Sequence, residues 1–251
     1  MRNPKIRRWL ILGIASAAFI ALIANMQLWQ MALSFLFPGE TQVLHPRADL
    51  LILTLEHLEL VGISSSLTIL IGVPVGIWVT RPSGSNFLPI VNDLTSFGQT
   101  FPPVAVLALA VPMLGFGLVP TVVALFLYGL LPVVRNTIAG LRAVPPDLLD
   151  AAYGMGMSRR QALLKVELPL AARVILAGVR ISVIINIGTA MIGAVIGAGG
   201  LGSPIIAGLV QDNLAFIIEG AVPAAILAIL ADQLLANIEG SLTHSPQEAN
   251  H

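Results

Sequence analysis

Residues able to do covalent or acid–base chemistry are few in this chain, and none is placed for it. There is no cysteine, which removes thiolate nucleophiles, thiolate metal sites and disulfides. The two lysines, Lys5 and Lys165, follow no glycine-rich loop, so the phosphate cradle an ATPase requires is missing. The four histidines are His45, His57, His244 and His251. None belongs to a metal-binding spacing such as H-E-x-x-H. The apolar spans described below put the first two on the outer side of a membrane and the last two on the inner side, so no Ser–His pairing is suggested. No catalytic residue, metal or cofactor bound by this chain is expected.

Four ionisable residues lie in or beside apolar stretches: Glu59, Arg180, Glu219 and Asp232. Such groups are costly in hydrocarbon and turn toward protein interior, water or an interface. Glu59 and Glu219 fall near outer span ends, which predicts interfacial exposure. Arg180 and Asp232 lie where two spans could pair them. A second pattern is Ser182, Asn186, Thr189 and Gly193, spaced four, three and four, which puts them on one helical face. Small and polar residues on such a stripe serve helix packing in lipid or line a path through the membrane, and the spacing allows both.

The elements that must carry these residues follow from composition. Hydrophobic residues make up 56% of the 251, charged residues only 10%, and mean hydropathy is +0.90. A soluble domain carries about 25% charged residues, so there is too little charge here for a solvated shell. Soluble enzyme, secreted module and nucleic-acid binder are excluded. A bilayer core needs about 20 mainly apolar residues per helix, and six stretches qualify. They run from Trp9 to about Phe37, His57 to Thr80, Gly98 to Leu114, Val119 to Leu141, Pro169 to Ile196, and Leu214 to Ile238. The first is too long for the apolar part of a cleaved signal peptide. Residues 38–56 are expected to form a loop with a short amphipathic helix. Pro102, Pro103 and Pro112 are expected to break the third span, and the glycine-rich GAGGLGSP fills 197–204.

Six spans with an inner N-terminus put Arg2, Lys5, Arg7, Arg8, Arg81, Arg135, Arg142, Arg159, Arg160, Lys165 and Arg173 in the cytoplasm. Those are 11 of the 13 basic residues; Arg47 lies outside and Arg180 within a span. This is the asymmetry the positive-inside rule requires. Trp9, Trp29 and Trp78 fall near span ends, where amphipathic rings lodge at the lipid headgroups.

The longest inner loop carries the strongest local signal, PPDLLDAAYGMGMSRRQALLKVELP at 145–169. Pro145-Pro146 suits a helix start, and Leu148, Leu149, Ala152 and Met155 can share one apolar face. Gly154 and Gly156 are expected to interrupt this helix. Ser158 with Gln161 forms a capping box, which starts a second helix that should stop before Pro169. Such a loop is either a solvated connector or a knob seated in a partner's groove.

Asp150-Ala151-Ala152, Gly156, Val166 and Leu168-Pro169 stand at the spacing of the "EAA…G…I-LP" motif, and the loop resembles that of bacterial ABC importer permeases. Asp150 replaces the usual Glu, and Val166 the usual Ile. The fuller string AAYGMGMSRRQALLKVELPLA, GQTFPPVAVLALAVP at 98–112 and the GAGGLG run are similar to the osmoprotectant branch, which serves glycine betaine, carnitine or choline import. The resemblance covers about residues 54–237 and implies an all-α integral membrane protein with the six-helix type I ABC importer permease fold.

It divides the chain into an N-terminal helix and outer loop (1–53), a transmembrane domain (54–237) containing the coupling loop 142–168, and a cytoplasmic tail (238–251). It further implies ATPase coupling through Asp150, Ala151, Ala152, Gly154, Gly156, Leu168 and Pro169, and a translocation path along Ser182, Asn186, Thr189 and Gly193. The implied partners are a second permease subunit, identical or paralogous, a cytoplasmic ABC ATPase dimer that binds ATP and Mg, and a separate periplasmic binding protein. Membrane lipid surrounds the whole, with both termini in the cytoplasm of a bacterial inner membrane. The rival readings are an ion-coupled secondary transporter, which needs inverted repeats and midplane charged sites, and an ABC permease for a different small solute.

Overall fold

Asn25 divides the first apolar stretch. Its side-chain oxygen accepts from the Leu28 amide at 3.1 Å, and its φ of −103° and ψ of 79° are not helical. Short amide side chains compete with a helix for backbone partners in this way. The expected single span from Trp9 to Phe37 is therefore two helices, α1 (Pro4–Ala24) and α2 (Met26–Leu36), in the computed structural model, which describes residues 4–46 and 49–241. Arg2, Arg47, His244, His251 and the tail from residue 242 onward lie outside the described residues, as does the side chain of Lys5.

Asp49 starts the next helix well ahead of His57. Its carboxylate accepts from the Leu51 amide at 2.8 Å. Residues 50–56, expected to belong to a loop with a short amphipathic helix, thus join α3 (Leu50–Val79). The third stretch also differs from expectation. The polar segment before it is helical, as α4 (Leu88–Thr100), with Pro89 in the first turn, where no N–H is needed. Phe101, ahead of Pro102, is extended at φ −73° and ψ 130°, because a residue before proline is pushed out of the helical region. α5 (Pro103–Leu114) then leaves at 96° to α4. Pro112, expected to break the span, lies inside α5.

Next come α6 (Leu118–Arg142), α7 (Pro146–Gly154) and α8 (Arg159–Ala162), then a π-helical stretch, Leu163–Glu167, leading into α9 (Leu168–Ala190). The helix after Ser158 does not stop at Pro169. It continues as one apolar run, Arg159–Ile196, and the wider π turn sits directly ahead of the proline that cannot donate. A helix that was not expected, α10 (Gly202–Gln211), follows the glycine-rich loop, and α11 (Leu214–Ser241) closes the described chain. Among the described residues, five helical runs are long and apolar enough to cross a membrane, six with the bent α4–α5 pair as one span.

The helices α3, α6 and α9 form the central packed trio. Gly129 on α6 makes their close approach possible: a Cβ there would collide with Ser182 Oγ and crowd Thr68 Oγ1 and Asn186 Nδ2 at 3.2 Å. α1 and α11 pack around this trio, and α1, α2, α3, α6, α9 and α11 share one buried cluster that includes Ile23, Leu33, Leu60, Leu125, Ile187 and Leu227. Trp29 belongs to it too, donating its indole N–H to Leu22 O at 3.0 Å, so it is a core residue and not the headgroup-level ring expected. Trp9 and Trp78 are exposed.

The bundle has two unlike ends. One bears residues 143–167 (the loop end), the other the glycine-rich 197–204 (the glycine end). α1 begins and α11 finishes at the loop end: Arg8 and Trp9 share a small cavity with Asn237, Gly240 and Ser241, and Glu239 pairs with Arg173 at 3.4 Å.

Candidate functional site

At the loop end, α7 is closed by a Schellman motif. The Met157 amide donates to Ala152 O at 3.1 Å and the Gly156 amide to Tyr153 O at 2.9 Å, the paired bonds that satisfy the last carbonyls of a helix. Gly156 has φ +82°, the left-handed conformation this closure needs. Gly154 is the last helical residue of α7 and interrupts nothing, contrary to expectation. The capping box forms as expected: Gln161 N–H donates to Ser158 Oγ at 3.3 Å, and Ser158 N–H to Gln161 Oε1 at 2.8 Å. Ala152 is buried, whereas Leu148, Asp150, Ala151, Tyr153 and Met155 are exposed. The helix therefore presents apolar side chains and two carboxylates, Asp147 and Asp150, that no described residue of this chain covers. Leu168 is half-buried among Leu141, Ala171 and Ile175, and Pro169 is exposed in the first turn of α9.

One fixture of this end was invisible in the sequence. Glu167, the last residue of the π stretch, takes both terminal nitrogens of Arg81: Nη1 donates to Oε1 at 2.8 Å and Nη2 to Oε2 at 2.6 Å. The two residues lie 86 positions apart in sequence, and nothing in the pattern of either points to the other.

At the glycine end, Gly197, Gly199 and Gly200 all have positive φ and wrap the loop around Glu56 in the first turns of α3. The Gly200 amide donates to Glu56 Oε2 at 2.8 Å. His57, expected on the outer side, is fully buried with Nε2 2.9 Å from Ile187 O. Glu219, expected exposed, is also fully buried. Its Oε2 accepts from the His45 amide at 2.8 Å, and Asn213 Nδ2 donates to Gln42 O at 2.8 Å. The segment 37–46 is thereby fastened over the start of α11. Glu59 is exposed as expected.

The polar stripe of α9 is turned largely into the trio. Asn186 Nδ2 donates to Ser64 Oγ and Ser65 Oγ of α3 at 3.3 and 3.2 Å. Ser182 is buried against Gly129 and Thr189 is half-buried; Gly193, expected on the same helical face, lies beyond α9 in a 3-10 stretch, Met191–Ile196, and is buried against Thr121. Arg180 and Asp232 do pair, with Nε to Oδ1 at 2.6 Å and Nη2 to Oδ2 at 2.8 Å, and Glu239 lies 3.6 Å from Arg180. An open apolar cleft of about 650 Å³ lies between the α4–α5 elbow and α6, lined by Phe97, Phe101, Leu109, Met113, Phe126 and Leu127 among others. Among the described residues, no three His, Asp or Glu side chains are grouped to hold a metal.

The family model described as "Binding-protein-dependent transport system inner membrane component" matches residues 72–242, and the chain belongs to that family: it is a permease subunit of an ABC importer in the inner membrane, not an enzyme. It is 45% identical over 190 residues to "Osmoprotectant import permease protein OsmY" of Salmonella typhimurium, covering 76% of this chain and 80% of that one. It is 45% identical over 197 residues to "Choline transport system permease protein OpuBB" of Bacillus subtilis, covering 78% and 89%. Among solved structures, an inward-facing form of the MetNI methionine ABC transporter matches with a TM-score of 0.70 at 25% identity, over 79% of this chain and 99% of that one. The ion-coupled alternative is set aside by this membership.

Proposed function

We propose that the chain is the permease of an osmoprotectant importer carrying quaternary amines such as glycine betaine, carnitine or choline, and that α7 is the knob on which its ATPase docks. The observation that carries the docking is the exposed face of Leu148, Asp150, Ala151 and Met155, held rigid by the Gly156 closure at one end and the Ser158 capping box beyond it. A short rigid helix in a partner's groove transmits rotation to whatever continues from it; here that is α9. Relatives whose names specify osmoprotectant and choline transport support the solute class.

ATP and Mg are bound by the ATPase pair, a second permease subunit completes the path, and a periplasmic binding protein delivers solute to the glycine end. The loop end faces the cytoplasm together with both chain termini; the clustering of arginines and the shared end of α1 and α11 support this. Ser182, Asn186, Thr189 and Gly193 flank the path by setting how closely α9 approaches α3 and α6. With three Trp and two Tyr in the chain, an aromatic cage for a quaternary ammonium has little material here, and solute choice belongs to the binding protein. The test is affinity purification of the tagged chain from its native membrane, followed by uptake of radiolabelled glycine betaine, carnitine and choline in vesicles. Co-recovery of an ABC ATPase and ATP-dependent uptake of one of the three are expected. Recovery without an ATPase refutes the docking, and uptake of none refutes the solute class.

A further inference from the structure

We propose that Arg81 and Glu167 form a strap that carries motion of the coupling loop into α3, making both of them positioning residues for transport; this rests on the docking of α7 proposed above. The pair differs from an ordinary surface ion pair. The Glu167 side chain is 5% exposed and that of Arg81 28%, and two nitrogens meet two oxygens at 2.8 and 2.6 Å. A bidentate contact fixes orientation as well as distance.

Its position gives it work that no covalent link does. α9 follows α8 directly through the π stretch, so whatever turns α8 turns α9. α3 has no such tie: it ends at Val79, and the chain beyond Arg81 leads away to α4. Apart from the strap, its links to the loop here include the apolar packing of Val73 and Ile77 near Leu163 and Leu168, which allows sliding. An open cleft of about 910 Å³ separates Pro82 and Ser83 from Tyr153, Met157 and Ser158, so the turn after α3 is not packed on the elbow of the loop. The strap also attaches where the helix changes phase, since a π turn carries one extra residue and offsets α8 from α9 by about 100°.

Higher up, α3 is joined to α9 by Asn186 on Ser64 and Ser65, and to the loop after α9 by Glu56 on Gly200. With the strap closed, α3 is held to the π stretch ahead of α9, to α9 itself through Asn186 and through His57 on Ile187 O, and to the loop beyond it through Glu56, and the two helices turn as one body. With it open, rotation entering at α8 is lost as sliding at the loop end.

The experiment uses the complete importer, with ATPase and binding protein, in vesicles, and measures uptake and ATP hydrolysis together with the solute the unaltered complex carries. Arg81→Gln and Glu167→Gln are expected to retain the ATPase and to lower solute moved per ATP by about ten-fold, within the ordinary range of a coupling free energy. Arg81→Glu combined with Glu167→Arg should recover most of that loss, while each alone should not. An unchanged ratio in assembled variants overturns the strap and leaves the docking of α7 standing. Loss of uptake only in proportion to lost complex, unrescued by the exchange, makes the pair merely structural and also overturns it. An unaltered complex that holds no ATPase removes the docking, and the strap with it.

Discussion

Gly154 and Gly156 stand two positions apart in one loop and answer to different constraints. A side chain would meet open space at either, but only Gly156 has positive φ. A side chain there costs about 1–2 kcal/mol in the left-handed region and opens the Schellman closure. Gly156→Leu should therefore abolish ATPase copurification and uptake while membrane insertion persists, and Gly154→Ala should be neutral or slightly stabilising. Asp150 is exposed, so its importance depends on the partner: about 1 kcal/mol or less at a rim, about 3–5 kcal/mol if sealed against an arginine. Asp150→Glu should retain uptake in vesicles and Asp150→Lys should lose it. Glu219 holds the His45 amide from a fully buried position. Glu219→Leu should release segment 37–46, seen as faster proteolysis there, whereas Glu219→Gln, still an acceptor, should protect it. None of this was legible at Glu219, because hydropathy places a carboxylate by depth in a span and says nothing of an amide 174 positions away.

Elements were legible where the signal was local. The capping box of Ser158 and Gln161, the start of α7 at paired prolines and the limits of α6 follow from neighbours in sequence, and each is where its residues put it. Boundaries set by one side chain were missed: Asn25 splits a run that is apolar on both sides, and Asp49 extends α3 into residues whose mixed polarity looked loop-like. α4 and α10 were missed because each is short, and α4 in addition carries Asn92, Asp93 and Gln99. Pro169 was misjudged for a different reason. A proline normally ends a helix by leaving a carbonyl unpaired, but the π turn before it changes which carbonyl that is. At the two ends, the helix, elbow and capping box of the 145–169 loop were readable from its residues; the contacts of Arg81 with Glu167, Glu56 with Gly200 and Glu219 with His45 were not, since each joins residues distant in sequence.

For the whole molecule, orientation is the property on which the rest depends. Reporter fusions after residues 150 and 205 should report cytoplasm and periplasm respectively; position 150 outside would sever α7 from any ATPase. The large faces left uncovered, among them Leu109, Met113 and Phe116 with Leu209 and Val210, are apolar enough to meet lipid or a second permease, and a lone chain in detergent is expected to self-associate through them.

The bend at Phe101 also bears on biogenesis. An interrupted helix bares backbone groups that hydrocarbon cannot satisfy, and here α6 supplies a partner: Tyr128 donates its hydroxyl to Phe101 O, while the Gln99 side chain fastens α4 to α6 by donating to Tyr128 O at 2.9 Å. The bent pair is thus incomplete until a segment made later in translation arrives. Chains truncated after residue 116 should leave 88–114 open to added protease in membrane vesicles, and chains truncated after 142 should protect it. Equal protection of the two would mean that the elbow enters the bilayer unaided.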